Sequence, residues 1–344
     1  MLNGAIKKLS GSLKTQILDG YDGAAIKRAI AILRAGGLVA FPTETVYGLG
    51  ADGLNPNAVA GIYEAKGRPP TNPLILHVAD MEAARPLVAH WPDVALKLTE
   101  KFWPGPLTII LPASSLVPDI VRAGNPTIAL RSPNHPVALE LLRAFNGPLA
   151  APSANKTTQT SPTKPEHVLS GMGGHIDLIL DGGRTTSGIE STIINLAETP
   201  PRLLRPGPIC PMEIEAITGN ISRFEGAVSA RGLQAAPGMT QRHYAPKARL
   251  TVHLQDELID VQREIQQISG ERVILVVLGD GLKLPCASDY RRLPDDPKGA
   301  SARLYATLHD LDSEGYQRIL FQAPPKTDEW LAIRDRLARA ASKD

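Results

Sequence analysis

Four cationic side chains stand at the ends of predicted secondary-structure elements: Lys66, Arg68, Arg131 and Arg205. Lys66 and Arg68 flank a glycine, so both can point into one loop. A lysine is a compact charge and an arginine a bidentate fork, and together they suit a polyphosphate. The alternative is that they only complement the dipole of a helix C-terminus. Because ligands of open α/β sheets bind outside strand ends, the four cations predict one anion-binding site.

Short polar side chains form a second group, in loops that follow predicted strands. The run 41–50 places Thr45 directly after a strand, and hydroxyls at such an exit bind a small zwitterion or simply shape a polar turn. Ser153 and Asn155 follow another strand, where hydroxyl and amide side chains hold phosphate oxygens. These loops are therefore the candidates for the rest of the site.

Two further residues have an equally ordinary structural explanation. Ser161 is either another phosphate ligand or a cap for a helix that begins near Pro165. His77 ends an apolar strand, where a hydrogen-bonded core histidine is the alternative to a functional one. Both alternatives stay open on the residues alone.

Several reaction classes lack their signatures. The sequence contains no HExxH, no GxSxG and no Walker A segment, and no acidic cluster of the DxD type accompanies the four cations. The metalloprotease, α/β-hydrolase and P-loop interpretations therefore have no support. Cys210 and Cys286 are the two cysteines, far apart and outside any CxxC pair. This predicts neither a disulfide scaffold nor a thiolate-bound metal and favours a reducing, cytoplasmic location.

The composition is that of a globular protein. The chain has 344 residues, a formal net charge of +2 and 43% hydrophobic residues, which predicts two domains with a core each. The near-neutral charge argues against a protein that mainly coats nucleic acid. The longest apolar run, 273–278, is far below the roughly 18 residues of a membrane span, and the N-terminus lacks a secretory signal.

The first 215 residues alternate helix and strand patterns, which predicts an α/β domain with a large mixed sheet. Asp22 and Asn55-Pro56 are helix starts, and Gly36-Gly37 and Gly67 are the matching stops. Helices are also expected over 94–102 and 137–145. Strands are expected over 38–41, 74–78, 107–111, 127–131, 178–180, 191–196 and 202–204.

Residues 216–247 are poor in large apolar side chains and predict a linker, and residues 248–344 predict a second domain. That domain has strand patterns at 249–254, 272–278 and 318–322, each followed by a helix pattern, at 257–268, 300–311 and 328–341. The β-α-β-α-β-α rhythm indicates a small doubly wound, Rossmann-like α/β fold, although no GxGxxG follows its first strand.

Ten segments in a fixed order resemble the threonylcarbamoyl-AMP synthases, the YrdC-like enzymes, in their long two-domain form. They span residues 42–246, whereas the C-terminal domain matches in length and rhythm. The segments are PTETVYGLG (42–50), KGRPPTNPLILHV (66–78), FWPGPLT (102–108), TIALR (127–131), APSAN (151–155), SPT (161–163), DGG (181–183), GIESTI (188–193), LLRPGPI (203–209) and APGMTQRHYAP (236–246).

The resemblance implies a twisted, YrdC-like mixed sheet with a positively charged concave face, and it implies a reaction. L-threonine, bicarbonate and ATP give threonylcarbamoyl-adenylate and pyrophosphate. Mg²⁺ comes with ATP, and no tightly bound protein-ligated metal is expected. The product passes to a tRNA threonylcarbamoyltransferase complex that modifies the adenosine next to the anticodon.

The resemblance also assigns residues. Lys66 and Arg68 are implied as catalytic. The expected ATP contacts are Lys66, Arg68, Asn72, Thr127, Ser153, Asn155, Ser161, Arg205 and Tyr244. The expected threonine contacts are Thr45, His77, Arg131, the Ala151 backbone and Ser191.

Two expectations concern the edges of the site. Tyr244 lies beyond the predicted linker, so we expect the linker to fold back as a lid that shields a labile carbamate from water. Thr158 stands where the family has a glycine, and a threonine avoids positive φ, so we expect a differently shaped loop before Ser161.

An RNA-binding module is the alternative function. A concave basic face can cradle duplex RNA by shape and phosphate contact. The charge of +2 and the 4% aromatic residues argue against this as the main function, and weak RNA binding stays open. A hydrogenase-maturation carbamoyltransferase is excluded because such proteins carry cysteine-rich zinc motifs.

Overall fold

The computed structural model describes residues 14–223, 234–238, 242–280 and 289–341. The predictions about a secretory signal, about Cys286 and about the centre of the linker lie outside these residues. Within them, every helix is too short or too polar to cross a lipid bilayer.

The first domain is built on a mixed sheet with helices packed against it. Its strands are β1 (Gln16–Asp19), β2 (Val39–Phe41), β3 (Gly48–Asp52), β4 (Ile75–His77), β5 (Leu107–Pro112), β6 (Thr127–Arg131), β7 (Leu149–Ala150), β8 (Leu178–Asp181), β9 (Thr192–Asn195), β10 (Arg202–Arg205) and β11 (Ser222–Arg223). Its helices are α1 (Gly23–Arg34), α2 (Pro56–Lys66), α3 (Met81–Ala84), α4 (Asp93–Phe102), α5 (Asp119–Arg122), α6 (Pro136–Phe145), α7 (Pro165–Met172) and α8 (Pro211–Thr218).

The strand order places distant segments side by side. The order is β1-β8-β2-β3-β7-β4-β6-β5-β9-β10-β11, with parallel and antiparallel neighbours. β4 and β6 are parallel and in register, so that His77 lies opposite Arg131. β10 runs antiparallel to β9 and brings Arg205 opposite Ile193. The sheet therefore brings together strands that are separated by up to about 160 residues along the chain, as β1 and β8 are.

The second domain has a smaller, fully parallel sheet in the order β12-β15-β13-β14. Its elements are β12 (Arg249–His253), α9 (Leu258–Ser269), β13 (Val273–Leu278), β14 (Tyr290–Leu293), α10 (Pro297–Ser313), β15 (Arg318–Gln322) and α11 (Leu331–Ala341). One apolar cluster packs α9 on one face of this sheet, and another packs α10 and α11 on the other. The predicted doubly wound class is confirmed.

The helix signals of the sequence operate as expected. The Asn55 side chain accepts backbone N–H bonds from Asn57 and Ala58, Pro56 occupies the first turn, and Gly67 ends α2 with φ 62°. That left-handed residue turns the chain sharply between Lys66 and Arg68. Asp22 caps α1 in the same way.

The sequence patterns did not predict four of the strands: β1, β3, β11 and β14. β3 is the instructive one, because its first residues are glycines in a run that looks like a polar loop. A Cβ on Gly50 would lie 2.9 Å from the Phe41 ring, so β2 and β3 pair closely only without a side chain there.

The two domains meet beside the loops that follow the first sheet. The rings of His167 on α7 and His309 on α10 stack with centroids 3.9 Å apart, and His309 Nε2 lies 3.1 Å from the Ser161 carbonyl. Tyr305 and Arg336 of the second domain are fully buried. The second domain thus closes one side of the first.

Candidate active site

One enclosed cavity receives the side chains that the sequence singled out. Nine of the fourteen predicted site residues line it: Thr45, Arg68, His77, Arg131, Ala151, Ser153, Ser191, Arg205 and Tyr244. All five predicted threonine contacts are among them. The remaining lining residues include Glu190 and His243, which the sequence analysis did not assign.

Backbone bonds hold two of the contributing loops together. The Leu49 N–H donates to the Pro152 carbonyl over 2.7 Å, and the Ala154 N–H donates to the Tyr47 carbonyl over 2.8 Å. The loop that carries Thr45 is therefore fixed against the loop that carries Ser153. Thr45 is itself held by a 2.8 Å hydrogen bond between its hydroxyl and that of Thr43.

Arg131 is one of the cations that line the cavity and one of the predicted threonine contacts. Its Nε donates to the Gly105 carbonyl over 3.2 Å, and its Nη2 lies 2.8 Å from Glu44 Oε1. Both side chains are more than nine-tenths buried. A buried guanidinium that keeps part of its fork free suits a carboxylate ligand.

Ser191 and Arg205 form a hydrogen-bonded pair in the lining of the same cavity. Arg205 donates through Nε to the Ser191 carbonyl and through Nη2 to the Ser191 hydroxyl, each over 3.0 Å. The Ser191 hydroxyl also lies 2.7 Å from that of Thr108. Burial lowers the pKa of Arg205, yet an arginine remains charged at neutral pH.

Arg68 is held by the loop that follows it. Its Nε donates to the Asn72 carbonyl over 3.1 Å, and its Nη2 donates to Asn72 Oδ1 over 2.5 Å and to the Pro73 carbonyl over 2.7 Å. Burial lowers its pKa to about 10. Asn72 therefore lies behind Arg68 and orients it.

Four other predicted nucleotide residues also lie behind the wall. Lys66 Nζ donates to the carbonyls of Ser153, over 2.5 Å, and Asn155, and burial lowers its pKa well below the usual value. Asn155 Nδ2 donates to two carbonyls of its own loop, and Thr127 begins β6 half-buried. Ser161 donates to Glu190 rather than capping α7. Their contacts with a nucleotide stay predictions.

His77 stays neutral over the physiological range. Its ring is buried. Burial is the main cause that lowers its pKa to about 3, and the positive charge of Arg131 is the second cause. Nδ1 finds no hydrogen-bond partner in the described part of the chain. A neutral ring with an unused nitrogen fits a ligand contact.

The segments on either side of residues 239–241 cover the cavity. Pro237, Gly238, His243 and Tyr244 line it, and Arg205 Nη1 reaches the Pro237 carbonyl over 3.5 Å. Tyr244 is buried with φ 61°, and its hydroxyl has no partner among the described residues. This is the geometry that the lid hypothesis requires.

Thr158 contradicts one expectation. It adopts φ 71°, so the loop before Ser161 makes its left-handed turn with a threonine. Its carbonyl accepts the Ala245 N–H over 2.9 Å, and a bridge joins Gln159 to Ala245. Docking of the covering segment accompanies the conformation that threonine disfavours.

Comparisons with known proteins agree on one family. Residues 31–207 match a family model described as telomere recombination, and residues 209–342 match the C-terminal domain of threonylcarbamoyl-AMP synthase. The threonylcarbamoyl-AMP synthase of Pyrococcus abyssi is 42% identical over 92% of this chain and 94% of its own length, and that of Bacillus subtilis is 42% identical over 92% of each.

A solved structure agrees over nearly the whole chain. The crystal structure of P. abyssi Sua5 complexed with L-threonine superposes with a TM-score of 0.87 and 38% identity, covering 96% of this chain and 97% of that one. The relative in Schizosaccharomyces pombe is 38% identical over 93% of this chain and 88% of its own length. The chain therefore belongs to the threonylcarbamoyl-AMP synthase family, as its motifs predicted.

Proposed function

We propose that the protein is an L-threonylcarbamoyladenylate synthase, a nucleotidyltransferase that makes threonylcarbamoyl-AMP and pyrophosphate from L-threonine, bicarbonate and ATP. The observation that carries the proposal is the meeting of Arg68, Arg131 and Arg205, from three separate segments, in one cavity with Thr45 and Ser191. Three guanidinium groups match a ligand set that holds one carboxylate and a triphosphate.

Threonine occupies the side of Arg131. The free part of the Arg131 fork binds the amino-acid carboxylate, while the hydroxyls of Thr45 and Ser191 bind the remaining polar groups. The threonine amine attacks the bicarbonate carbon, so that a C–N bond forms, one C–O bond breaks and water leaves with a proton from the amine. The result is the N-carboxylated amino acid. His77, neutral at physiological pH, is placed to accept or donate a hydrogen bond there.

ATP occupies the side of Arg68 and Arg205. An oxygen of the carbamate attacks the α-phosphorus, the new P–O bond forms, and the bond from the α-phosphorus to the bridging oxygen breaks. The electron pair leaves with pyrophosphate. For phosphoryl-type chemistry the protein mainly positions the reactants and offsets charge, which Arg68 and Arg205 do here without a protein nucleophile.

Mg²⁺ enters with ATP in this proposal. The carboxylate that lines the cavity, Glu190, already accepts hydrogen bonds from three side chains. An ion held by phosphate oxygens and water is the arrangement that Mg²⁺ usually adopts with nucleotides. When bound, it supplies charge neutralisation at the triphosphate.

The product is passed to a tRNA threonylcarbamoyltransferase complex, and the reaction takes place in the cytoplasm, where ATP and tRNA meet. The covering residues Pro237 and Tyr244 support transfer of an intact product, because an adenylate held in the covered cavity is protected from hydrolysis until it is released.

The test measures pyrophosphate release with labelled bicarbonate, threonine and ATP. We expect release to need threonine and bicarbonate together, and Arg68→Ala to abolish it. Arg85→Ala is the matched control, because Arg85 forms an exposed ion pair with Glu82 away from the cavity. Release that ignores threonine contradicts the proposal. Salt-sensitive RNA binding without such release indicates the RNA-binding alternative.

A further inference from the structure

The carboxylate of Glu190 is bound from two sides, one of which is the second domain. Its Oε1 accepts the Ser161 hydroxyl over 2.5 Å. Its Oε2 accepts the Tyr305 hydroxyl over 2.9 Å and Arg336 Nε over 2.8 Å. Two of its three donors therefore come from α10 and α11, the helices that follow β14 and β15.

Arg336 is built into this position. Only 1% of its side chain is exposed. Nη1 donates to Asp335 Oδ2 over 2.6 Å, and Nη2 donates to the Pro206 carbonyl over 3.0 Å. Its guanidinium carbon lies 4.9 Å from the centre of the Tyr244 ring. Every arm of the fork is used, so the guanidinium has one orientation.

Glu190 connects this cluster to the reacting groups. It lines the cavity and directly precedes Ser191, which Arg205 binds through both its carbonyl and its hydroxyl. Tyr305 and Arg336 are outside the lining of the cavity. Any effect that they have on the reaction must therefore pass through Glu190 or the covering residue Tyr244.

We propose that Tyr305 and Arg336 are positioning residues, which hold the Glu190 carboxylate away from Arg205 and so leave the charge of Arg205 without a carboxylate partner and available to the phosphates of ATP. The inference rests on the proposed function and gives the second domain a role in it. The first domain alone supplies the cations, and the second domain keeps one of them available.

The physical reason is the cost of a buried, unpaired charge. A carboxylate buried as deeply as Glu190 must be paired or become neutral. Without Arg336, the remaining cation that lowers the pKa of Glu190 is Arg205, which lines the same cavity. A Glu190–Arg205 ion pair then competes with the triphosphate for the same guanidinium.

The alternative is that the cluster only fastens the two domains together. In that case its loss weakens the interface, and removing the charge of Glu190 as well offers no recovery. The positioning role predicts the opposite, because Glu190→Gln cannot form the competing ion pair.

The experiment compares full-length Arg336→Met, Glu190→Gln and the double variant. We expect Arg336→Met to raise the KM for ATP at least about tenfold with a smaller change in the KM for threonine, and the double variant to recover most of that loss. Arg223→Met is the matched control, because Arg223 forms a bidentate interdomain ion pair with Asp328 that is partly exposed and does not involve Glu190. An unaffected Arg336→Met, or a double variant no better than the single one, overturns the proposal.

A pH profile separates the two roles further. In the wild type, burial raises the pKa of Glu190 but the charges of Arg336 and Arg205 and the Ser161 hydrogen bond outweigh it, leaving a pKa of about 2. In Arg336→Met that pKa rises, so acid neutralises the carboxylate and releases Arg205. The ratio of variant to wild-type activity should therefore rise as the pH is lowered. The groups that face Glu190 are Ser161, Arg205, His243, Tyr244, Tyr305, Asp335 and Arg336.

Two milder variants keep the proposal testable if Arg336→Met does not fold. Tyr305→Phe removes one donor and leaves the ion pair, and we expect a rise of about threefold in the KM for ATP. Arg336→Lys keeps the positive charge but loses the bidentate geometry of the guanidinium. We expect its KM for ATP to lie between the wild-type value and that of Tyr305→Phe, or to equal the latter. No change in either overturns the positioning role. Equilibrium binding of ATP and threonine by the wild type distinguishes a failure of the positioning role from a failure of the proposed function. If the proposed function fails, the wild type neither binds both substrates nor turns them over.

Discussion

The two halves of the cavity differ in how far the chain alone assembles them. The threonine half, defined as the five predicted threonine contacts, is complete: Thr45, His77, Arg131, Ala151 and Ser191 all line the cavity. In the nucleotide half, defined as the nine predicted ATP contacts, five side chains lie behind the wall. Those five are Lys66, Asn72, Thr127, Asn155 and Ser161.

The difference follows from what each cation binds. Arg131 faces a side chain, Glu44, and one carbonyl. Lys66 and Arg68, by contrast, donate hydrogen bonds to backbone carbonyls, and Arg68 also binds the Asn72 side chain. Arg205 donates to the backbone carbonyls of Ser191 and Pro237. The side chains of the threonine half are therefore already assembled, whereas ATP has to replace existing hydrogen bonds and move the covering residues.

Arg131→Ala is the variant with the largest expected effect on the difference between the threonine half and the nucleotide half. It removes the carboxylate fork and leaves the buried Glu44 without its ion-pair partner. We expect threonine affinity to fall by about 100-fold and the free energy of unfolding to fall by about 3 to 5 kcal/mol. Titration calorimetry and urea unfolding measure the two effects, with Arg131→Lys as the charge-preserving control. ATP affinity that falls as much as threonine affinity would show that the halves are not separate.

A second prediction concerns the pH dependence of the threonine half. The pKa of His77 is about 3 when folded and roughly 6.5 when unfolded, so the unfolded chain binds more protons. Stability from this group is present above about pH 6.5 and is lost as the pH falls toward 3, by about 2 kcal/mol at about pH 5. His77→Gln should flatten that part of the stability profile and weaken threonine binding.

His167→Gln is the control for this measurement. Burial, with the neighbouring His309, also lowers the pKa of His167 to about 3, but the residue lies outside the cavity. It should flatten the stability profile while threonine affinity stays unchanged. Equal losses of affinity in both variants would assign the His77 effect to general destabilisation.

The residues of the threonine half could be brought together from the sequence because they sit where local signals are strong, and their contacts with threonine stay predictions. His77 and Arg131 end two apolar strands. Beside the nucleotide half, Gly67 likewise ends a helix that has its start and stop residues in place. Strand ends and helix caps depend on a few neighbouring residues, so they can be read along the chain. The glycine-rich β3 was missed because its pairing depends on the Phe41 ring, a contact that no local pattern encodes.

Contacts between the domains were beyond the sequence for a different reason. Glu190 belongs to the GIESTI segment and directly precedes Ser191, a predicted threonine contact. That position beside a predicted site residue was a signal from which Glu190 could have been assigned to the site. Tyr305 and Arg336 occupy ordinary positions of amphipathic helices. Nothing in a helical pattern distinguishes an arginine that reaches a buried carboxylate across an interface from one that stays on the surface.

A third prediction tests the nucleotide half through Tyr244→Phe. The buried Tyr244 hydroxyl has no partner among the described residues, so its removal should leave the free energy of unfolding unchanged or raise it by up to about 1 kcal/mol. If that hydroxyl waits for the nucleotide, ATP affinity should fall about tenfold with threonine affinity unchanged. Stability comes from thermal unfolding and affinity from equilibrium titration. A variant that binds ATP normally would remove Tyr244 from the nucleotide half.

The smallest expected effect lies in the loop that the covering segment docks on. Thr158 holds φ 71°, which costs a β-branched residue about 1 to 3 kcal/mol. Thr158→Gly should therefore raise the free energy of unfolding by about 1 kcal/mol after the entropy cost of glycine. Gln159→Gly, the neighbouring control, lacks positive φ and should lower it by about 0.5 to 1 kcal/mol.

The same variant sharpens the comparison, because the Thr158 carbonyl accepts the Ala245 N–H next to Tyr244. Relieving strain in the docked state favours the docked covering segment, which ATP must move in order to enter. ATP association should slow by a factor of about two to five in Thr158→Gly, because the added stability of the docked state lowers the population of the state that ATP can enter. Threonine association should keep its wild-type rate. Stopped-flow measurements of both rates decide it. Equal slowing of both would mean that one gate serves the whole cavity and that the threonine half is no more preformed than the nucleotide half.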